Sequence, residues 1–395
     1  MSPTGAAGDR PYHPAGLVVV DTLVPVHRQS RSRPRLSLVL GLVVLLGCSA
    51  SPGGSSPTPP REPVDLAQDW VLTPPASVAV DPDALARAID AAPGVSGMES
   101  AALVRRGRLV GEWYRDGSPS TLHPVRSVTK SVISLLVGLA IERGIFQGTD
   151  EPLADTFHPP LPPITGPDEA ITLEDLLTMT AGFEWDESNV AEFNAWVLAP
   201  DQVEYVLARP LVSTPGTSWN YNSAAVHLLS AALTSSTDAG TSGFADEVLF
   251  QPLGIAAREW ELDRQGIPNG GAGLSLTARD LAKLGELVLQ GGRSGARQVV
   301  PAAWIRDATS VRFPAVGGLA ATGSLDYGRL WWLGQLGGKT LILAWGYGGQ
   351  FVAVLPETDL VVVTTAKFQG LGDGAPAQTS AIMDWIALSV LPAMR

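Results

Sequence analysis

Strand-like runs gather at the two ends of this chain and leave its middle to helices, a distribution that narrows the choice of fold sharply. Near the start, SAALVRRGRLVGEWYRDG (100–117) gives two such runs around an Arg-Gly turn, the pattern of a hairpin. Near the end, RLWWLGQ (329–335), TLILAWG (340–346), QFVAVLPE (350–357) and LVVVTTAKF (360–368) read as successive antiparallel strands. The segment PAQTSAIMDWIALSVLP (376–392) closes them as a helix. The sheet is therefore assembled from both chain ends, an α/β fold of the α+β kind with flanking helices. A helical lobe lies between, and a site is expected in the cleft between the two lobes.

The helices have their own signals. Asp81, Pro82 and Asp83 open one over 84–92. Val128, Val132, Leu135, Leu136, Leu139 and Ala140 recur at helical spacing until Gly144 supplies a stop. In TLEDLLTMTAGF (172–183) and TARDLAKLGELVLQGG (277–292), Thr172 with Asp175 and Thr277 with Asp280 have capping-box spacing, so both stretches are expected to be helical. The resulting division is a sheet lobe over about 76–122 and 320–392 and a helical lobe over about 127–315. With 395 residues, 45% of them hydrophobic, the chain suits one large domain or two intimate ones. Its net charge of −12 argues against a nucleic-acid partner, which would need a positive surface to meet phosphates.

The front end reads differently. HRQSRSRPR (27–35) is followed by the apolar LSLVLGLVVLLG (36–47) and then Cys48. A basic segment and a short apolar core form a secretory signal, too short to span a bilayer as a mature helix. LLGC resembles the lipobox of bacterial lipoproteins, which implies export, a lipid on Cys48 and a membrane-anchored protein on the extracytoplasmic side. Residues 1–26 are not signal-like and are expected to lie upstream of a true start near Val26, if the gene begins on a non-Met codon. Residues 48–75, opening with SASPGGSSPTPPREP after the cysteine, are expected to be a flexible tether, leaving 76–392 as the folded domain. Cys48 is the sole cysteine, so core packing and not a disulfide must hold the protein together.

The chemistry centres on Ser127-Val-Thr-Lys130. On a helix these two side chains share a face. A serine hydroxyl is a poor nucleophile unless a neighbour takes its proton, which a lysine does when burial or nearby cations lower its basicity. The plain alternative is a capping serine beside a solvated lysine, but a cation is misplaced at a helix N-terminus. Lysine is also rare here, confined to Lys130, Lys283, Lys339 and Lys367, while arginine is used freely. Arginine cannot release its proton, so position 130 looks like one that requires lysine. In TPGTSWNYNSAAVHLL (214–229), Tyr221 is placed to shuttle a proton and Ser223 to orient the network, although a tyrosine anchoring a loop by its hydroxyl is the bland reading.

Together Ser127-Val-Thr-Lys130, Tyr221-Asn-Ser223 and AWGYGGQ, in this order and with TLEDLLTMTAGF, PGTSWNYNS and GGAGLSLTARDLAK between them, resemble the penicillin-recognising serine hydrolases. That superfamily includes class C beta-lactamases, D-alanyl-D-alanine peptidases, family VIII esterases and 6-aminohexanoate-dimer hydrolases. The resemblance covers roughly residues 80–392 and implies a beta-lactamase/transpeptidase-like fold. It further implies Ser127 as the acylated nucleophile, Lys130 as its helix partner and Tyr221 as the relay tyrosine. Ser223 stands where many members have Asn. The chain departs from the pattern at the cleft strand, where Ala344-Trp345-Gly346 replaces Lys-Thr-Gly or His-x-Gly and brings no cation. The oxyanion hole implied is the backbone N–H of Ser127 with that of Tyr347, beside Gly346.

A pocket with Ala344 and Trp345 in place of a cation suits an ester or linear amide better than an acidic beta-lactam, and AWGYGGQ is similar to the 6-aminohexanoate-dimer hydrolase branch. Trp185, Trp196 and Trp219 flank the cleft, with Trp185 and Trp219 the candidate pocket walls, although most tryptophans belong to cores. EWDESN (184–189) reads as a solvated loop or as an attraction for a cationic substrate. His123, His158 and His227 are scattered, so no metal is expected, and no glycine-rich loop suggests a nucleotide cofactor. The leading expectation is an exported serine esterase or amidase acting on a small ester or amide. A class C-like beta-lactamase or D-alanyl-D-alanine carboxypeptidase, and a non-catalytic cell-envelope binding protein, are the alternatives.

Overall fold

The computed structural model describes residues 10–11 and 63–394. Apart from Arg10–Pro11, the expected signal region lies outside the described residues, as do Cys48 and the first part of the expected tether. Among the described residues no helix is long and apolar enough to cross a membrane.

The elements that place the site are α1 (Pro82–Ala91), β1 (Met98–Arg105), β2 (Arg108–Tyr114), α2 (Val128–Glu142), α3 (Ser223–Ser236), α4 (Ala278–Leu289), β3 (Phe313–Leu319), β4 (Gly323–Tyr327), β5 (Trp332–Leu336), β6 (Lys339–Gly346), β7 (Gln350–Leu355), β8 (Leu360–Ala366) and α5 (Ala375–Trp385). One eight-stranded sheet runs in the order β2-β1-β8-β7-β6-β5-β4-β3, antiparallel at every pairing. The N-terminal hairpin joins the C-terminal strands through β1 and β8, so the sheet is built from both ends as the strand pattern requires.

Side-chain caps open α1 and α3. Asp81 accepts from the N–H groups of Asp83 and Ala84, with Pro82 in the first turn, and Asn222 accepts from Ala225 N at 2.8 Å to open α3. Helix α2 is buried from Val128 to Ala140, the state required of a helix that is apolar almost all round. Helix α4 lies across β1, β7 and β8, where Gly285 lets it approach Val352 and Val361. Helix α1 packs against the turns at 386–393 that follow α5, and Trp385 Nε1 at the end of α5 donates to Ala88 O at 2.8 Å.

Several boundaries differ from those expected. The helix expected over 172–183 spans only Leu173–Leu177. Its capping box forms, but Met179 turns left-handed at φ 64° and Thr180 N takes Asp175 O, which ends the helix. Strands β3 and β4 were not foreseen, because glycines dilute their alternation; with β3 starting at Phe313, the sheet lobe begins before 320. Helix α4, expected in the helical lobe, covers the sheet instead. Nor is 48–75 all tether: Leu66 and Trp70 are buried, Trp70 Nε1 donates to Arg279 O at 2.9 Å and Thr73 N to Leu109 O at 2.8 Å. The apolar side chains interspersed in VDLAQDWVL find the groove beside α4, so the domain begins about a dozen residues before Ala76.

Candidate active site

Ser127 is the residue that opens α2, and it makes no side-chain capping bond there, which leaves its hydroxyl to other partners. Lys130, one turn on, is 1% exposed. Its Nζ stands 2.7 Å from Ser127 Oγ, 2.8 Å from Ser223 Oγ and 2.7 Å from Gly271 O. Three separate segments thus converge on one ammonium-sized site: α2, the start of α3 and the loop at 268–273. Tyr221 lies alongside, with the Lys130 Nζ 4.8 Å from its ring centroid.

Local chemistry explains why each segment reaches this point. A Cβ at Gly271 would meet Ser223 O at 2.6 Å, so only glycine lets this loop bring its carbonyl to the lysine. Asn269 Oδ1 holds the loop by accepting from Gly271 N and Ala272 N at 2.9 and 3.0 Å. Behind it His227, fully buried, pairs with Asp263 at 3.1 Å through Nε2 and accepts from Gly270 N through Nδ1. With Nδ1 an acceptor, Nε2 carries the proton and donates to the carboxylate. His227 is therefore a brace for the loop. His123 lies near Glu99 and His158 is on the surface. Among the described residues no group of three or more His, Cys, Asp or Glu side chains is arranged to hold a metal ion.

Glu187 was missed in the sequence. EWDESN reads as a polar surface loop, yet Glu187 is 6% exposed and its carboxylate accepts from Trp185 Nε1 at 2.6 Å, from Ser223 N at 2.9 Å and from Ser223 Oγ. The one available signal was the tryptophan two residues earlier. Trp185, expected to line a substrate pocket, is itself buried with its N–H on Glu187 and its ring edge-on to Trp196. Its ring and N–H support the loop that carries Glu187.

The cleft strand also departs from expectation at one position. Ala344 is buried against α2, lining a small apolar void with Val128, Val132, Leu135 and Trp331. The alternation of a strand sends its neighbour the other way: Trp345 is half-buried against Trp332, 5.2 Å away. Trp332 in turn stacks on Tyr221 at 5.8 Å and meets Trp219 edge-on at 6.0 Å. Trp219, Tyr221, Trp332 and Trp345, with Tyr327 edge-on beneath them, therefore make one continuous aromatic wall. Sequence reasoning reached Trp219 and Trp345 but not Tyr327 and Trp332.

Gly346 ends β6 at the closest approach of strand and helix, where a Cβ would sit 2.3 Å from Val125 O. The following Tyr347 is buried, and Gly348 and Gly349, at φ 83° and 102°, turn the chain back into β7. Arg126, immediately before the serine, is held at φ 51° with its guanidinium over the Phe368 ring. Burial pushes the nearby Glu261 carboxyl above its ordinary range, a shift that the charge of Arg126 opposes.

Residues 82–383 match the family model described as Beta-lactamase. No curated protein sequence is significantly similar to the chain. Among solved structures, the fold is shared with a protein named as a candidate 6-aminohexanoate-dimer hydrolase from Bacillus anthracis, at 20% identity and TM-score 0.64, covering 84% of this chain and 91% of that one. EstCE1, described as a hydrolase with promiscuous acyltransferase activity, is 18% identical with TM-score 0.60, covering 77% and 98%. A D-stereospecific amidohydrolase from Streptomyces sp. is 16% identical with TM-score 0.59, covering 78% and 98%.

Proposed function

Because this chain belongs to the beta-lactamase family, whose members are serine hydrolases acting on esters and amides, we propose that it cleaves an ester or a linear amide through an acyl-enzyme on Ser127. The observation that carries this is the Lys130 Nζ, buried and 2.7 Å from Ser127 Oγ. In this reading Lys130 takes the serine proton as Oγ attacks the acyl carbon. Tyr221 protonates the departing alcohol or amine and is resupplied by Lys130. Water then attacks the acyl-enzyme with Tyr221 or Lys130 as base. The N–H groups of Ser127 and Tyr347, on the two elements that Gly346 brings together, would face the oxygen that gains charge.

The aromatic wall supports an apolar acyl or leaving group, and the triplet Ala344-Trp345-Gly346 at the cleft end of β6 brings no cation for a substrate carboxylate. Both features favour an esterase or amidase over a beta-lactamase or D-alanyl-D-alanine carboxypeptidase. The protein is also read as exported and anchored by a lipid on Cys48, on the strength of the basic and apolar runs before that residue; a Cys48→Ala variant that stays in the membrane fraction would contradict it. Intact mass after a fluorophosphonate, a p-nitrophenyl ester or nitrocefin, beside Ser127→Ala, tests the activity. A mass adduct lost in S127A, with ester turnover and inert nitrocefin, is the expected result. Rapid nitrocefin opening would instead identify a beta-lactamase, and absence of every adduct a binding protein.

A further inference from the structure

We propose that Glu187 is a positioning residue for the Ser127–Lys130 pair, acting through Ser223 to aim the reactive face of the lysine nitrogen at the serine. The proposal rests on the hydrolase reading above and adds to it a residue and a direction of proton flow.

Ser223 has one hydroxyl proton, and it goes to the Glu187 carboxylate. Its oxygen must then accept from Lys130 Nζ, 2.8 Å away. Gly271 O, at 2.7 Å, can only accept. Two N–H bonds of Lys130 are thereby committed. A neutral amine has two hydrogens and one lone pair, and the third direction points at Ser127 Oγ, 2.7 Å away. The lone pair therefore faces the serine hydroxyl. When Ser127 Oγ forms its bond to the substrate, its proton moves to that lone pair, giving an ammonium whose three N–H bonds meet three oxygens. The negative Glu187, one serine away, stabilises the charge that appears there.

Without the carboxylate, the Ser223 hydroxyl is free to rotate and donate to the lysine lone pair in competition with Ser127. Glu187 is itself held for this task. Trp185 Nε1 and Ser223 N bind it in addition to the hydroxyl, and three converging donors suit an ionised carboxylate. The other titratable groups around Lys130 are Tyr221 beside it and the His227–Asp263 pair behind the 268–273 loop.

The test is the rate of Ser127 labelling by a fluorophosphonate as a function of pH, read by intact mass on purified full-length protein. Loss of the Glu187 charge makes the lysine easier to deprotonate, so Glu187→Gln should move the acid limb of the labelling profile to lower pH while the plateau rate falls at least tenfold. In Ser223→Ala the same glutamine change should lower the plateau no further, because the hydroxyl through which it positions the lysine is gone, while loss of its charge still moves the limb. An E187Q limb that coincides with wild type, or an undiminished fall of the plateau on adding E187Q to S223A, overturns the proposal. If E187Q fails to fold, the S223A plateau alone decides, since it cuts the same link: a fall of about tenfold supports the proposal and an unchanged rate overturns it. Failure of wild-type Ser127 to label at any pH would sink the hydrolase reading itself, a result distinct from an unmoved limb.

Discussion

Alanine at Gly346 would separate the two halves of the proposed oxyanion site by a distance that can be worked out. Its Cβ would lie 2.3 Å from Val125 O, and ordinary contact begins near 3.4 Å, so strand and helix entry must part by about 1 Å. Val125 cannot yield by a change of rotamer, because its carbonyl accepts from Val128 N and its own N–H donates to Leu274 O at 2.9 Å. The strand end must move, and the N–H of Tyr347 with it. A misplacement of about 1 Å costs on the order of a hundredfold in rate, comparable to deleting one oxyanion donor. We therefore expect kcat for a p-nitrophenyl ester to fall about a hundredfold in Gly346→Ala, with KM changed little because the loss falls on the transition state. The overpacking should cost about 1–3 kcal/mol of stability, which a thermal melt will register without unfolding the protein at assay temperature. Gly374→Ala is the control, since nothing lies within 4 Å of its Cβ position. A folded G346A enzyme within threefold of the wild-type kcat would refute the assignment of Tyr347 N–H to the oxyanion.

Two further outcomes follow from the geometry. Trp345→Ala, which removes the half-buried end of the aromatic wall, should raise KM for an aryl ester about tenfold and leave kcat nearly unchanged, because a wall that binds substrate and transition state alike contributes uniformly; a loss confined to kcat would place Trp345 in the chemistry. Away from the site, Glu112 joins β2 to α4 through Arg279 at 2.7 and 2.8 Å. Burial raises its carboxyl pKa, but the hydrogen bonds of Arg279 and Tyr114 and the Arg279 charge win, leaving it below the ordinary 4.5. A folded value below the unfolded one gives a stabilisation that is complete above the unfolded value and lost as pH falls through the folded one. Glu112→Gln should therefore lower Tm at pH 7, a loss of stability on the order of 1 kcal/mol for a pair only partly shielded from water, and the gap to wild type should close in acid once pH has fallen through the depressed folded value. A gap that persists there would mean the bond is worth the same with a neutral carboxyl.

What could be read from the sequence was what local pattern determines. The apolar spacing of α2, the strand runs of β6, β7 and β8 and the Ser127/Lys130 spacing all depend on neighbours within a few residues, and the structure places them as that spacing requires. The failures share an opposite cause. Glu187 lies in a stretch whose composition is that of a surface loop, and its burial is imposed by Trp185 and by Ser223 from 36 residues away. Leu66 and Trp70 sit in a polar, proline-flanked segment and are buried only because α4 and the turn at Ser294 offer a groove. Ala344 and Trp345 were read as a pair, whereas the pleat sends one into the core and the other to the aromatic wall.

The cost of Lys130 explains why so many distant residues are committed to it. A cation at a helix N-terminus opposes the dipole, and burial to 1% exposure removes the water that would otherwise solvate it. Neither penalty can be met by α2, whose neighbouring side chains are apolar apart from serine and threonine. Compensation has to arrive from elsewhere in the chain: a carbonyl delivered by a glycine loop that Asn269 and His227 brace, a hydroxyl from the start of α3, and a carboxylate behind that hydroxyl. A lysine kept only for packing would need none of these, and a methionine there would fill the space at lower cost. The arrangement is intelligible if the nitrogen must exchange a proton with Ser127, because only then are a lone pair and an ammonium both required at one place, with acceptors fixed in advance for each.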